Sequence, residues 1–111
     1  MSKSLKDSKV YTVDFGGKKR PLTFDYNALC ELQETYEDPF EAFAGLEKMN
    51  LKAIKALVHS SLVAGLAVKD EDAELDLSMN KVGRILGELM MKDQKAFEDV
   101  LTKVSEGIKN F

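Results

Sequence analysis

The 111-residue chain has no tryptophan, two prolines, one histidine and one cysteine. A single cysteine excludes an intramolecular disulfide framework and fits a reducing compartment. One cysteine and one histidine make a zinc site a poor fit, since structural zinc takes four such ligands. Long apolar runs are also scarce: the stretch LVAGLAV at 62–68 is far short of the ~20 residues of a membrane span. After its lysines the N-terminal MSKSLKDSK has no apolar segment, so it does not read as a secretory signal. Low-complexity tracts and internal repeats are absent, and 44% hydrophobic with 32% charged residues excludes wholesale disorder. The length allows one core, read as a tail over 1–8 that is expected to be flexible and a single domain over 9–111.

Charge of one sign is missing from whole segments. Residues 25–47 carry seven carboxylates and no base, and residues 48–69 carry four lysines and no acid. Residues 70–76 hold five acids and no base, whereas residues 1–24 hold six bases against two acids. A nucleic-acid binder presents one dominant basic face, and the acidic blocks weaken that reading.

Tyr11, Val13 and Phe15 alternate with Thr12 and Asp14, Gly16-Gly17 supplies a turn, and Leu22 and Phe24 resume the spacing. This predicts a β-hairpin with one apolar face, which must lie on something because two strands are marginal in water. Helix signals follow. Asp25 is an N-cap before a stripe of Tyr26, Leu29, Leu32 and Tyr36. Asp38-Pro39 with Glu41 starts a second helix. Asn50 caps a third, with a wide stripe of Leu51, Ile54, Leu57, Val58, Leu62 and Gly65 and a wet side at Lys52, Lys55 and His59. After an acidic loop, Ser78 caps a fourth with Val82, Ile85, Leu86 and Leu89 on one face. A fifth begins near Asp93; Phe97, Leu101, Val104, Ile108 and Phe111 follow the spacing of a heptad seam. The fold class expected is mainly α (α+β): an N-terminal hairpin packed on a bundle of four to five helices.

No catalytic constellation emerges. Cys30 has Glu31 and Glu34 beside it, and carboxylates disfavour the thiolate a nucleophile needs. It reads as a partly buried structural residue, with His59 on a solvated rim. DEDAELDLSMNK lacks both the glycine and the final glutamate of a calcium-binding loop. Gly16-Gly17 precedes a strand rather than a helix, so it cradles no phosphate. Gly83 and Gly87 permit close helix approach, with internal packing favoured over an interface; Met79, Met90 and Met91 suit either core or an adaptable surface. No catalytic, cofactor or metal residue is assigned.

The order of elements and the segments Phe24 to Glu34, Ala64 to Leu66 and Leu77 to Gly83 resemble the tail assembly chaperones of long-tailed phages and prophages of Gram-positive bacteria. The likeness spans roughly residues 9 to 90. It implies a non-enzymatic role in the bacterial cytoplasm during virion assembly, with the protein itself left out of the mature particle. Such chaperones bind the tape measure protein and keep it soluble until tail tube protein assembles around it. A longer product is often made by ribosomal frameshifting. No cofactor, nucleic acid or membrane is implied, and self-association is compatible. The seam Phe97, Leu101, Val104, Ile108 and Phe111 is the candidate partner surface, if the other elements close the core without it; otherwise it covers the core. Two other classes stay open. One is a structural head–tail completion protein. The other is a small helix-turn-helix regulator, although the fourth helix offers only Lys81 and Arg84 as bases.

Overall fold

The computed structural model describes residues 9–111, and the tail expected over 1–8 lies outside them. Strands β1 (Tyr11–Phe15) and β2 (Lys18–Leu22) pair antiparallel with Phe15 opposite Lys18, leaving a two-residue turn. Gly16 and Gly17 both have positive φ, 66° and 87°, which only glycine adopts freely and which suits the twist of a two-residue hairpin. Five helices follow: α1 (Tyr26–Gln33), α2 (Pro39–Glu47), α3 (Leu51–Lys69), α4 (Met79–Lys92) and α5 (Gln94–Lys109). The molecule is therefore mainly α with a small hairpin packed on the helices.

Each helix starts where a short polar side chain replaces a missing backbone partner. Asp25 accepts from Ala28 N, Asp38 from Phe40 N, Asn50 from Lys52 N and Ala53 N, Ser78 from Lys81 N, and Asp93 from Ala96 N. The α4–α5 corner is a single residue. Asp93 donates its own N–H to Leu89 O, ending α4, while its carboxylate caps α5.

Helix α3 is the centre, touching β2, α1, α2, α4 and α5. Its 19 residues have the length and hydropathy (1.5) of a membrane crossing, which the seven-residue run at 62–68 does not reveal. Its apolarity has another use: Ile54, Leu57, Val58, Leu62 and Ala64 are all buried in the core. Strand β2 passes so close to it that a Cβ on Gly65 would clash with the Pro21 carbonyl and come within 2.6 Å of Leu22 N. Thr23 N donates to Ser61 O at 3.2 Å, so the outer edge of β2 is joined to the helix. Two residues earlier on that edge, Pro21 has no N–H to leave unpaired.

The core differs from the expected stripes on α1, on β2 and on α5, and at Leu51 of α3, which is exposed. Tyr26 is exposed, and Ala28 with Leu32 makes the inner face of α1, because the helix leans on α3 through its small side. Arg20 is buried on the same face of β2 as Leu22. It donates from Nε to Phe15 O (2.6 Å) and from Nη1 and Nη2 to the carboxylate of Asp76 (2.6 and 3.4 Å). Finally, α5 turns Phe97, Val100, Val104 and Gly107 inward, against β1, α3 and α4. The seam anticipated at Phe97, Leu101, Val104, Ile108 and Phe111 is thus divided. Phe97 and Val104 are core, Leu101 and Ile108 are half-buried, and Phe111 is 57% exposed with its ring edge-on to Phe24 at 5.6 Å. Gly107 explains the rotation: a Cβ there would lie 3.3 Å from Phe24 Cβ, so α5 seats with that side inward.

Gly65→Ala is expected to lose at least about 2–4 kcal/mol, since backbone rather than a side-chain tip must move. Ser61→Ala is expected to gain up to about 1 kcal/mol, because Ser61 Oγ is buried without a hydrogen-bond partner. Urea unfolding of both variants checks the pair; equal effects would mean that β2 does not rest on α3 as described.

The hydrogen bond from Arg20, reinforced by the Arg20 and Lys18 charges, holds the Asp76 carboxyl down at about 2 against its ordinary 3.8. A depressed carboxylate stabilises fully above the ordinary value, and the contribution is lost as pH falls from there toward 2. Asp76→Asn should cost about 1 kcal/mol at neutral pH: Arg20 loses its anion, but Asp76 is more than half exposed and solvent screens the pair. Between pH ~4 and ~2 the variant should lose less stability than the parent chain, measured by urea midpoints at each pH.

Candidate functional site

The α2–α3 corner is built from close contacts. A Cβ on Gly45 would lie 2.6 Å from Ala53 Cβ, so only glycine lets α2 fold back this tightly on α3. Asn50 N donates to Gly45 O (2.7 Å) and Met49 N to Leu46 O (3.2 Å), the paired bonds of a helix C-terminus closed by a left-handed residue. That residue is Met49, with φ 58°, the one non-glycine in the positive region among the described residues. Glycine or asparagine ordinarily occupies such a position, since a Cβ there costs on the order of 1 kcal/mol. Its side chain is 50% exposed, so burial does not repay the strain.

Met49 stands in the wall of a mainly apolar trough formed by three neighbouring hollows that share lining residues. At one end, between α3 and α4, a cavity of about 510 Å³ is floored by Ile54, Leu86, Met90 and Phe97. It continues past Met90 and Phe97 into a second hollow with Met49 and Leu101. Through Met49 and Leu101 it reaches a third, between α2 and α5, walled by Phe43, Leu46 and Ile108. Leu51, expected inside, is 58% exposed on the rim of the first hollow. The chain turns out of α2 at Met49 and re-enters a helix at Leu51, so both side chains fall on the trough rather than in the core.

Gly83 and Gly87 both line the trough, but only Gly83 also makes the close contact between helices expected of the pair. The Lys55 side chain lies over Gly83, its Cδ 2.9 Å from where a Cβ would be, and nothing lies within 4 Å of such an atom at Gly87. Of the methionines weighed from sequence, Met90 lines the trough, Met79 packs partly against the core and Met91 is exposed. Thioether side chains on a half-open wall adapt to differently shaped apolar partners.

The anticipated surface residues distribute accordingly. Leu101 and Ile108 face the trough, Phe97 contributes to its floor, Val104 is fully buried and Phe111 lies at the end of α5 against Phe24. Sequence reasoning missed the trough role of Met49 in the α2–α3 connection, of Leu51 at the start of α3, and of Phe43 and Leu46 on α2. The one available signal was a methionine in the glycine position before an N-cap.

Cys30 is exposed on α1 rather than partly buried, because Ala28 and Leu32 take the inner face. His59 is half-buried, a rim position rather than the fully wet one expected beside Lys52 and Lys55. Burial lowers its pKa, and the negative charge of Glu31 on α1 only partly opposes this. Among the described residues no three His, Cys, Asp or Glu side chains gather as a metal site would require. The site is a surface for apolar contact. Comparison of the chain with protein-family models, with curated proteins and with solved structures finds no match.

Met49→Gly should raise stability by about 0.5–1 kcal/mol, and Met49→Ile should lower it, because a β-branched side chain tolerates positive φ worst. Calorimetric melting of the two variants decides whether this methionine is held at a cost.

Proposed function

We propose that the domain is a non-enzymatic tail assembly chaperone that binds the tape measure protein of a long-tailed phage and assists tail tube assembly. The observation that carries the reading is the solvent-open apolar trough bounded by α2, α3, α4 and α5, with two methionines in its walls. A tape measure chain is long and carries apolar helical stretches that aggregate when bare. A groove of this form accepts the apolar face of such a helix without enclosing it. Release matters as much as capture, because tube protein finally takes the chaperone's place. An open trough with modest affinity per domain, repeated over many copies along one chain, meets that requirement.

The resemblance of Phe24–Glu34, Ala64–Leu66 and Leu77–Gly83 to this family supports the same reading. Those segments build α1, the end of α3 that receives β2, and the start of α4. Apart from Asn80 and Gly83, which line the trough, they are scaffold positions, and the trough is what the scaffold holds open. On this reading the protein acts in the host cytoplasm and leaves before the particle is complete. Recovery of the protein from purified virions would instead favour a head–tail completion role.

Co-expression with the tape measure protein tests the proposal. Met49→Glu combined with Leu101→Gln should leave the helical circular dichroism of the isolated domain intact and send the tape measure protein to the pellet. Val104→Asp should unfold the domain itself, since it places a carboxylate at a fully buried position. Continued solubilisation by the folded double variant would remove the trough from the mechanism.

A further inference from the structure

The trough is polarised along its length. The hollow between α3 and α4 carries Lys52, Lys55 and Arg84 and no acid. None of the three has an ion-pair partner among the described residues. The opposite stretch carries Glu98 in the middle hollow and Glu47 and Glu106 beside α2 and α5, against a single base, Lys109. Between these ends Met49, Met90, Phe97 and Leu101 supply the apolar lining, with Gln94 and Thr102 as uncharged polar neighbours.

Unlike charges at the two ends of one apolar groove select the direction of what lies in it. We propose that the trough takes a single amphipathic helix of a partner protein in one fixed direction. Acidic residues at one end of that helix lie over Lys52, Lys55 and Arg84, and basic residues at its other end lie over Glu47, Glu98 and Glu106. The inference rests on the proposed function only in taking the occupant to be a partner helix; it adds that helix's charge pattern and direction. The open space at Gly87 lets a helix backbone approach α4 closely at the basic end. There, carboxylates on the incoming helix reach Arg84 and Lys55 without spanning a large side chain. Rim charges of this kind chiefly set orientation and partner choice, while the apolar floor supplies the adhesion.

A synthetic peptide of about 20 residues, with leucines on one stripe, glutamates in its first third and lysines in its last, probes the trough directly. Titrated into isotopically labelled protein, it should perturb amides along α4, the α2–α3 corner and α5. A nitroxide on the glutamate end should broaden resonances near Arg84 and Gly87, and one on the lysine end those near Leu101 and Glu106. Binding should weaken severalfold as salt rises from ~50 to ~300 mM. Gly87→Leu, which adds a better helix former at an unobstructed position, should keep or raise the melting temperature and weaken the peptide at least about tenfold. Arg84→Glu, at an exposed position, should weaken it severalfold without touching the core.

Broadening in the reverse order would overturn the assignment of direction. Unchanged binding by both variants would overturn the site. Self-association of the peptide-free protein that Gly87→Leu dissolves would identify the occupant as a second copy, and preferential binding of duplex DNA at the Lys52–Arg84 end would identify a nucleic acid. Either result excludes the partner helix. A chaperone acting through another face would still solubilise the tape measure protein, as the parent chain and as the Met49→Glu, Leu101→Gln variant alike, and would leave the peptide unbound. A chaperone using the trough with the opposite polarity would lose solubilisation in that variant and fail only the direction test.

Discussion

The fold depends on the contact between the backbone of β2 and the one residue of α3 that has no side chain. Two strands do not hold together in water by themselves, and the hairpin has no third strand to lean on. It is held because Gly65 lets Pro21 and Leu22 approach the helix to main-chain distance, with Thr23 N bonded to Ser61 O beside it. That contact commits one face of α3 to the hairpin, and α1, α2, α4 and α5 pack against other parts of its surface. A helix covered from so many sides must be apolar nearly all round. This is why α3 carries membrane-like hydropathy while serving as the core of a globular domain.

From there the remaining elements follow in order. Arg20 and Asp76, on β2 and on the acidic loop, tie the hairpin to the approach of α4. Helix α5 then closes the far side, with Lys103 donating to Thr12 O at 2.8 Å and Gly107 seated on Phe24. What is left uncovered is the strip where α2, α3, α4 and α5 come together without a fifth element to fill it. Its small and flexible residues, two glycines and two methionines, are suited to an exchangeable occupant. A fixed core is packed with stiffer side chains. Met49 fits the same picture: it accepts backbone strain to present a thioether on that strip.

Parts of two charge blocks also gain a meaning in three dimensions: Lys52 and Lys55 of the basic block 48–69 and Glu47 of the acidic block 25–47 are joined by charges from beyond residue 76. In the fold, lysines of α3 and an arginine of α4 stand together at one end of the strip, and glutamates of α2 and α5 at the other. A charge pattern that local spacing cannot show arises because helices distant in sequence are neighbours in space.

All five helix starts, the two-glycine hairpin turn and the mainly α class were legible in the residue order. Each is a local matter, decided within a turn or two by a capping oxygen, a permitted φ or a repeat of apolar positions. The direction each helix faces was decided elsewhere. On α5 two stripes overlap, Phe97–Leu101–Val104–Ile108 and Phe97–Val100–Val104–Gly107. The first has more hydrophobic atoms, and the second is the one that packs, because a glycine adds nothing to an apolar pattern but removes the obstacle to Phe24. The same reason hid the trough. Its walls come from four helices and one corner, and the pairing of Arg20 with Asp76 spans 56 positions without any periodic mark. Helical identity is set by neighbours a few bonds away; coverage is set by which surfaces exclude water together, and only the packed molecule determines that.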